Sequence, residues 1–382
     1  MRKTFFAMAV VIATCRVCPA QWHAPDDGLP EQFIIGIDTA ADVVSDDYRS
    51  IADAGFNLVI AQRPGESFNT QMLKACEGTG LRCVVWDPRI STPALGESSI
   101  RNEAIQHYRG FPALTGFRTR NNLPVAPAET LDMWTSVISI GNADPERFRY
   151  LEACHPSEFS DDRQFSRYIR TYLTRGLGYA LYNEDNPYSF QAVDALRKMA
   201  DACKRGNDRM WRRCRLRDTS PAMIRWQAYS SAAAGARGII YGVVRPIADV
   251  RTDSLLDAAG THTPAYQSAR QVNRRLEAVG PALMNASPGG MYTIGAVFDH
   301  EIPSPDNSPV AAIDSSVKDD GYLVGLLAEG RYAFVVRKPE GDEAADVTIR
   351  CAGGRKAFAV ETGKPSDRLS LLPGEGRLLE IR

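Results

Sequence analysis

What most limits the folds open to this chain is a plan repeated from Phe33 to Leu276, in which a short apolar run ends in polar side chains and an amphipathic stretch follows. Residues 33–39, Phe-Ile-Ile-Gly-Ile-Asp-Thr, stay apolar without alternation until Asp38, the pattern of a strand covered on both faces. Similar runs stand at 57–61, 82–87, 114–119, 149–153, 178–183, 210–216 and 238–244. Helical spacing lies between most of them, at 46–54, 69–77, 128–138, 161–174, 190–204 and 221–234, with 263–276 after the last. Ser45-Asp-Asp offers the first helix an N-cap and Gly55 a stop. Eight buried strands alternating with helices predict an α/β chain closed as a (β/α)8 TIM barrel, whose chemistry collects where the strands end.

At 382 residues the chain exceeds one such barrel, and two units are expected. After Gly280-Pro281 the texture changes to short alternating runs, at 291–295, 322–327, 332–337, 346–350 and 377–382, separated by turn residues. This predicts a small antiparallel β-sandwich domain. The expected division is 1–20 as a signal peptide, 21–284 as the barrel and 285–382 as the sandwich.

The signal reading rests on Arg2 and Lys3, on an apolar core from Phe5 to Ala13 too short to span a bilayer, and on Cys18-Pro-Ala20 before Gln21. Cleavage after Ala20 would leave a secreted or periplasmic protein, with no membrane insertion afterwards. Export makes disulfides permissible. Cys76 and Cys83, and likewise Cys203 and Cys214, each straddle a turn from helix to strand, so local staples are expected, with Cys154 and Cys351 free. The net charge of −1 gives no overall field for nucleic acid or an anionic membrane. The Arg-rich run 209–217 is the local exception, and it reads either as an RNA contact or as a strand whose arginines meet nearby carboxylates. Cysteine and histidine spacings do not suggest zinc, no glycine loop suggests a phosphate, and no cofactor is expected.

Asp53-Ala-Gly-Phe-Asn-Leu-Val59, Ala113-Leu-Thr-Gly-Phe117, Ala232-Ala-Ala-Gly-Ala-Arg-Gly-Ile-Ile-Tyr241, Val272-Asn-Arg-Arg-Leu-Glu-Ala-Val-Gly-Pro281 and Leu371-Leu-Pro-Gly-Glu-Gly376 follow one another in order. Together they resemble secreted bacterial glycoside hydrolases of the clan-A type, which join a (β/α)8 barrel to a C-terminal β-sandwich. The resemblance covers nearly the whole mature chain. It implies two carboxyls flanking a glycosidic bond, about 5–5.5 Å apart in retaining enzymes and about 6.5–9.5 Å apart in inverting ones. It also implies a proton-donating glutamate at the end of strand four, where this chain has Asn121-Asn122. An amide cannot supply that proton. At strand seven, the family's nucleophile position, the chain offers Arg213, Arg215 and Arg217 with only Asp218 as a carboxylate.

The candidate residues follow from those positions. Glu184 and Asp185, after strand six, are the preferred catalytic carboxylates, and if turnover occurs Glu184 or Asp185 with Asp87 or Glu152 carries the acid and base roles. Asp38 either holds sugar hydroxyls or caps its loop. Trp86 and Asp87 pair an aromatic platform with a carboxylate at one strand end, although Trp86 equally suits core packing. Glu152 either faces the mouth or bridges to an arginine. Arg118, with Arg120 and the strand-seven arginines, either receives an acidic sugar such as a uronic acid or neutralises Asp38, Asp87 and Glu184. Tyr182, Tyr188 and Tyr241 are further candidates to line the groove, beside Asn121 and Asn122. The alternative to an enzyme is a catalytically silent carbohydrate-binding protein of the cell envelope.

Overall fold

The computed structural model describes residues 32–40, 42, 44–91, 98–120, 138–153, 159, 161–173, 177–181, 186–206, 209–216, 219–246 and 254–382. Eight parallel strands close on themselves: β1 (Ile34–Thr39), β2 (Leu58–Ala61), β3 (Arg82–Val85), β4 (Leu114–Arg120), β5 (Phe148–Ala153), β6 (Leu177–Leu181), β7 (Met210–Cys214) and β8 (Gly238–Val243). β1 pairs with both β2 and β8, which shuts the ring. The eight expected strands are all present, and the barrel is real.

Barrel closure turns each strand's alternation into two separate cores. Ile34, Leu58, Ile60, Val84, Phe148, Tyr150, Trp211 and Ile240 fill the interior. Their neighbours Ile35, Ile37, Val59, Cys83, Phe117 and Ile239 belong to the layer shared with the helices. The interior accepts its aromatic rings because glycines lie opposite them. A Cβ on Gly116 would stand 2.6 Å from the Phe148 carbonyl oxygen, and one on Gly238 would stand 2.7 Å from Cβ of Ile34. Phe148 and Trp211 meet edge to face at 5.6 Å, a preferred aromatic geometry.

The helices of the described residues include α1 (Ser45–Asp53), α2 (Glu66–Cys76), α3 (Pro88–Ser91), α4 (Ser98–Arg109), α5 (Asp162–Leu173), α6 (Phe190–Gly206), α7 (Pro221–Ala233) and α8 (Pro264–Asn285). Three depart from the sequence reading. α3 and α4 lie in the interval between β3 and β4, where no helix is expected. The inner face of α4 is Arg101, Ala104, Ile105 and Tyr108, so an arginine interrupts the apolar stripe that would have announced it. α8 runs straight through Gly280-Pro281 to Asn285. Gly280 is buried against Phe33 there. The expected helix at 128–138 lies almost wholly outside the described residues.

Antiparallel strands follow: β9 (Pro288–Gly295), β10 (Val310–Ser315), β11 (Gly321–Leu327), β12 (Tyr332–Arg337), β13 (Ala345–Cys351), β14 (Ala357–Ala359), β15 (Arg368–Leu371) and β16 (Gly376–Ile381). They form a three-stranded sheet, β10-β13-β15, and a five-stranded one, β14-β16-β12-β11-β9. The larger sheet seats on α7. Ser220 caps that helix by accepting from the Met223 N–H at 3.2 Å, and the helix buries residues all around its circumference. Its small residues therefore serve two neighbours, the barrel wall and the sheet. A Cβ on Gly325 would collide with the Ala233 carbonyl, so backbone meets backbone. Arg275 pairs with Glu375 across the same junction, and Arg225 donates to the Pro373 carbonyl at 2.9 Å.

Cys76, Cys83, Cys214 and Cys351 are free thiols, so the two expected staples are not formed. Burial, and then a hydrogen bond with Cys76, pushes the Cys83 thiol well above its ordinary value. No described helix is long and apolar enough to cross a membrane.

Candidate functional site

Because side chains alternate along each strand, the odd and even candidates separate at the C-terminal mouth of the barrel. Asp38 on β1 and Arg213 on β7 turn inward and form an ion pair across it. The Asp38 side chain keeps 1% of its surface, and Arg213 keeps 16%. Burial pulls the Arg213 guanidinium down to about 10, which still leaves it protonated at neutral pH.

Arg118 on β4 is the second buried cation of the mouth, 1% exposed. Its guanidinium lies 5.0 Å from the Trp86 ring centre and 5.9 Å from that of Tyr150. One of its nitrogens donates to the Ala61 carbonyl at 3.0 Å. Stacking between two rings with one edge anchored holds the group in a single orientation, as the planar guanidinium permits. Trp86 itself is half-buried, just past the end of β3.

Trp86 and Asp87 do not act as a pair, because adjacent residues leave the strand on opposite sides. Asp87 faces the helices and is 2% exposed. It caps α3, accepting from the Arg89 N–H at 2.9 Å. The Arg89 guanidinium grips it at 2.7 Å, and the Tyr108 hydroxyl donates to it at 2.7 Å. Burial alone would raise the Asp87 carboxyl, but the hydrogen bonds from Arg89 and Tyr108 outweigh it and hold the group below its ordinary value. The expected sugar contact is thus a helix cap whose oxygens are already engaged.

Tyr241 is corrected for the same reason. It points outward from β8, is 0% exposed, and meets Phe56 edge to face at 5.4 Å. Tyr188 is also no groove residue: its hydroxyl donates to the Val297 carbonyl at 2.5 Å and its ring packs on Trp226. Of the arginine run, Arg212 turns to the helices, where it donates to the Ser230 hydroxyl at 3.4 Å. Arg213 is placed in the mouth, and Arg217 with Asp218 lies outside the described residues.

Asn121, Asn122, Tyr182, Glu184 and Asp185 lie outside the described residues as well. Glu152 is placed by its backbone in β5, in register with Ala180 of β6. Among the described residues, no group of His, Cys, Asp and Glu is arranged to hold a metal ion. A cavity of about 1030 Å³ opens at the opposite, N-terminal end of the barrel, lined by Phe33, Asn57, Arg82, Leu114 and Met284 among others. That end of such barrels carries stability rather than chemistry, so the mouth is the candidate site.

No family model matches the chain, and no curated protein matches it. Solved structures do. A cold-adapted β-galactosidase from Rahnella sp. R3 superposes with a TM-score of 0.51 at 9% identity, over 68% of this chain and 58% of that one. A β-galactosidase from the psychrophilic Marinomonas ef1 gives 0.48 at 13% identity, over 67% and 62%. Gas2p of Saccharomyces cerevisiae, solved with laminaritetraose and laminaripentaose, gives 0.48 at 12%, over 65% of each chain. The chain thus spans about three fifths of the length of these proteins. At such identities the likeness is one of fold alone, a closed parallel β/α barrel.

Proposed function

We propose that this is an exported carbohydrate-active barrel that takes its sugar at the C-terminal mouth, with an acidic sugar preferred. The observation that carries the reading is the set of inward groups at one end of the barrel. Trp86 offers a half-buried ring, Arg118 and Arg213 bring two cations to the same end, and Asp38 brings a carboxylate in contact with Arg213. A ring suits the face of a sugar, and a guanidinium suits a uronate carboxylate. The fold shared with sugar hydrolases adds an analogy and nothing more.

In this reading Glu184 or Asp185, together with Glu152, supplies the acid and base in place of the glutamate replaced by Asn122. The test compares binding of neutral and uronic oligosaccharides by calorimetry with turnover of the same sugars. Trp86→Ala is expected to weaken binding about tenfold or more, the range of one well-placed ring. If turnover is seen, Glu184→Gln is expected to lower it by about 10²–10⁴-fold. Tight binding of a neutral sugar with none for its uronic counterpart would sink the acidic preference.

A silent binding protein is the second reading, favoured specifically by the amides of Asn121-Asn122. It expects binding without turnover, and glycosidase activity gained on Asn122→Glu.

A further inference from the structure

We infer that Asn69, far from the mouth in sequence, is the positioning residue that sets the Trp86 ring; the inference rests on Trp86 serving the sugar site. Trp86 lies just beyond the strand ladders. The last pairings of β3 are Val84 with Ile60 and Val85 with Phe117, so neither neighbouring strand reaches the Trp86 backbone. Asn69, fully buried on α2, takes their place. Its side-chain oxygen accepts from the Trp86 N–H at 3.3 Å, and its side-chain nitrogen donates to the Trp86 carbonyl at 2.8 Å. The Gly65 N–H, at the head of the same helix, donates to that carbonyl at 3.1 Å.

One amide thus does for Trp86 what a partner strand would do, and it is itself held. The Asn69 nitrogen also lies 3.3 Å from the Tyr108 hydroxyl, which donates onward to Asp87. Asp87 is fixed through Arg89, which reaches Glu66 at the start of α2 at 2.6 Å. Helices α2, α3 and α4 therefore clamp two successive residues, and alternation aims the first of them into the mouth. The site needs both a donor and an acceptor at one short reach, and the Asn amide carries the two side by side.

The experiment is a double-mutant cycle on oligosaccharide affinity, with Asn69→Ala made in the natural chain and in Trp86→Ala. The expected result is a loss of about tenfold in the first background and less than about twofold in the second. Equal losses in both overturn the inference, since a general loosening of the barrel would not depend on the ring. A spectroscopic arm needs no sugar. Trp86 emission, taken as the difference between chains with and without Trp86→Phe, is expected to shift on Asn69→Ala. Asn69→Asp serves if the alanine variant does not fold. Its protonated carboxyl can both donate and accept and its ionised form can only accept, so Trp86 emission should follow one added titration. Unchanged emission in the variants overturns the positioning role. Failure of every sugar to bind, with the emission shifts present, leaves the positioning role supported and sinks the sugar reading instead.

Discussion

Two buried arginine–carboxylate pairs, one in each half of the molecule, are built to different standards. In the C-terminal sheets Asp320 receives the Arg337 Nε at 2.9 Å, the Tyr322 hydroxyl at 2.7 Å, the Ser315 hydroxyl at 2.9 Å and the Gly321 N–H at 3.0 Å. Arg337 also donates to the carbonyls of Glu343 and Leu371, at 2.6 and 2.9 Å. At the barrel mouth, Asp38 meets Arg213 from a strand remote in the chain. A carboxylate gripped by several donors locks strands together, whereas an arginine–carboxylate contact at the strand ends brings charge to the open end of the barrel. The comparison teaches that burial and pairing do not by themselves mark a site. Placement where the strands end does.

The most drastic way to probe this contrast is Asp320→Ala. It strands Arg337 in the sheets without a counter-ion, and a loss of about 3–5 kcal/mol is expected in urea unfolding. Replacing both members of the mouth pair, as Asp38→Leu with Arg213→Met, is expected to leave stability within about 1 kcal/mol of the natural chain and to abolish sugar binding. A large loss of stability from that double change would show that the mouth pair is structural after all, and the contrast would collapse.

Acid gives a gentler probe. Burial alone would raise the Asp320 carboxyl, but Tyr322, Ser315 and Arg337 hold it below its ordinary value. A depressed folded-state value means that its contribution is fully present above the ordinary carboxylate value of about 4 and is lost as the pH falls through the folded value. Asp87, lowered through Arg89 and Tyr108 against its own burial, adds in the same direction. Stability followed against pH should therefore drop on acidification, and Asp320→Asn should flatten that drop. An unchanged acid profile in the variant would assign the loss to other carboxylates.

Much of the architecture was open to reading in advance, and the reasons are local. Continuous apolar runs such as 33–37 and 238–241 are buried wherever they pack, and their order with intervening helices leaves few folds. α4 escaped because its inner stripe includes Arg101, whose burial depends on neighbours remote in the chain. Strands β10, β14 and β15 escaped because short edge segments carry little alternation.

The site was less legible. Trp86 and Asp87 read as a pair because they are adjacent, yet alternation alone implies that they part; the usable signal was the period of two. Which of them turns inward could not be read, since both faces of a barrel strand are buried and both look apolar. The same ambiguity hid the outward course of Tyr241 and Arg212, and left Asn69 looking like an ordinary helix residue.

The order of strands and helices, the change of texture near residue 280, and the presence of aromatic and charged side chains at the strand ends were determined by the sequence itself, because burial and periodicity act over a few residues. Only the tertiary structure decided that Asp38 meets Arg213, that Arg118 lies between Trp86 and Tyr150, and that Asp87 is a cap. Those outcomes depend on ring closure and strand register, which bring distant segments within hydrogen-bond reach and assign each residue its side of the wall.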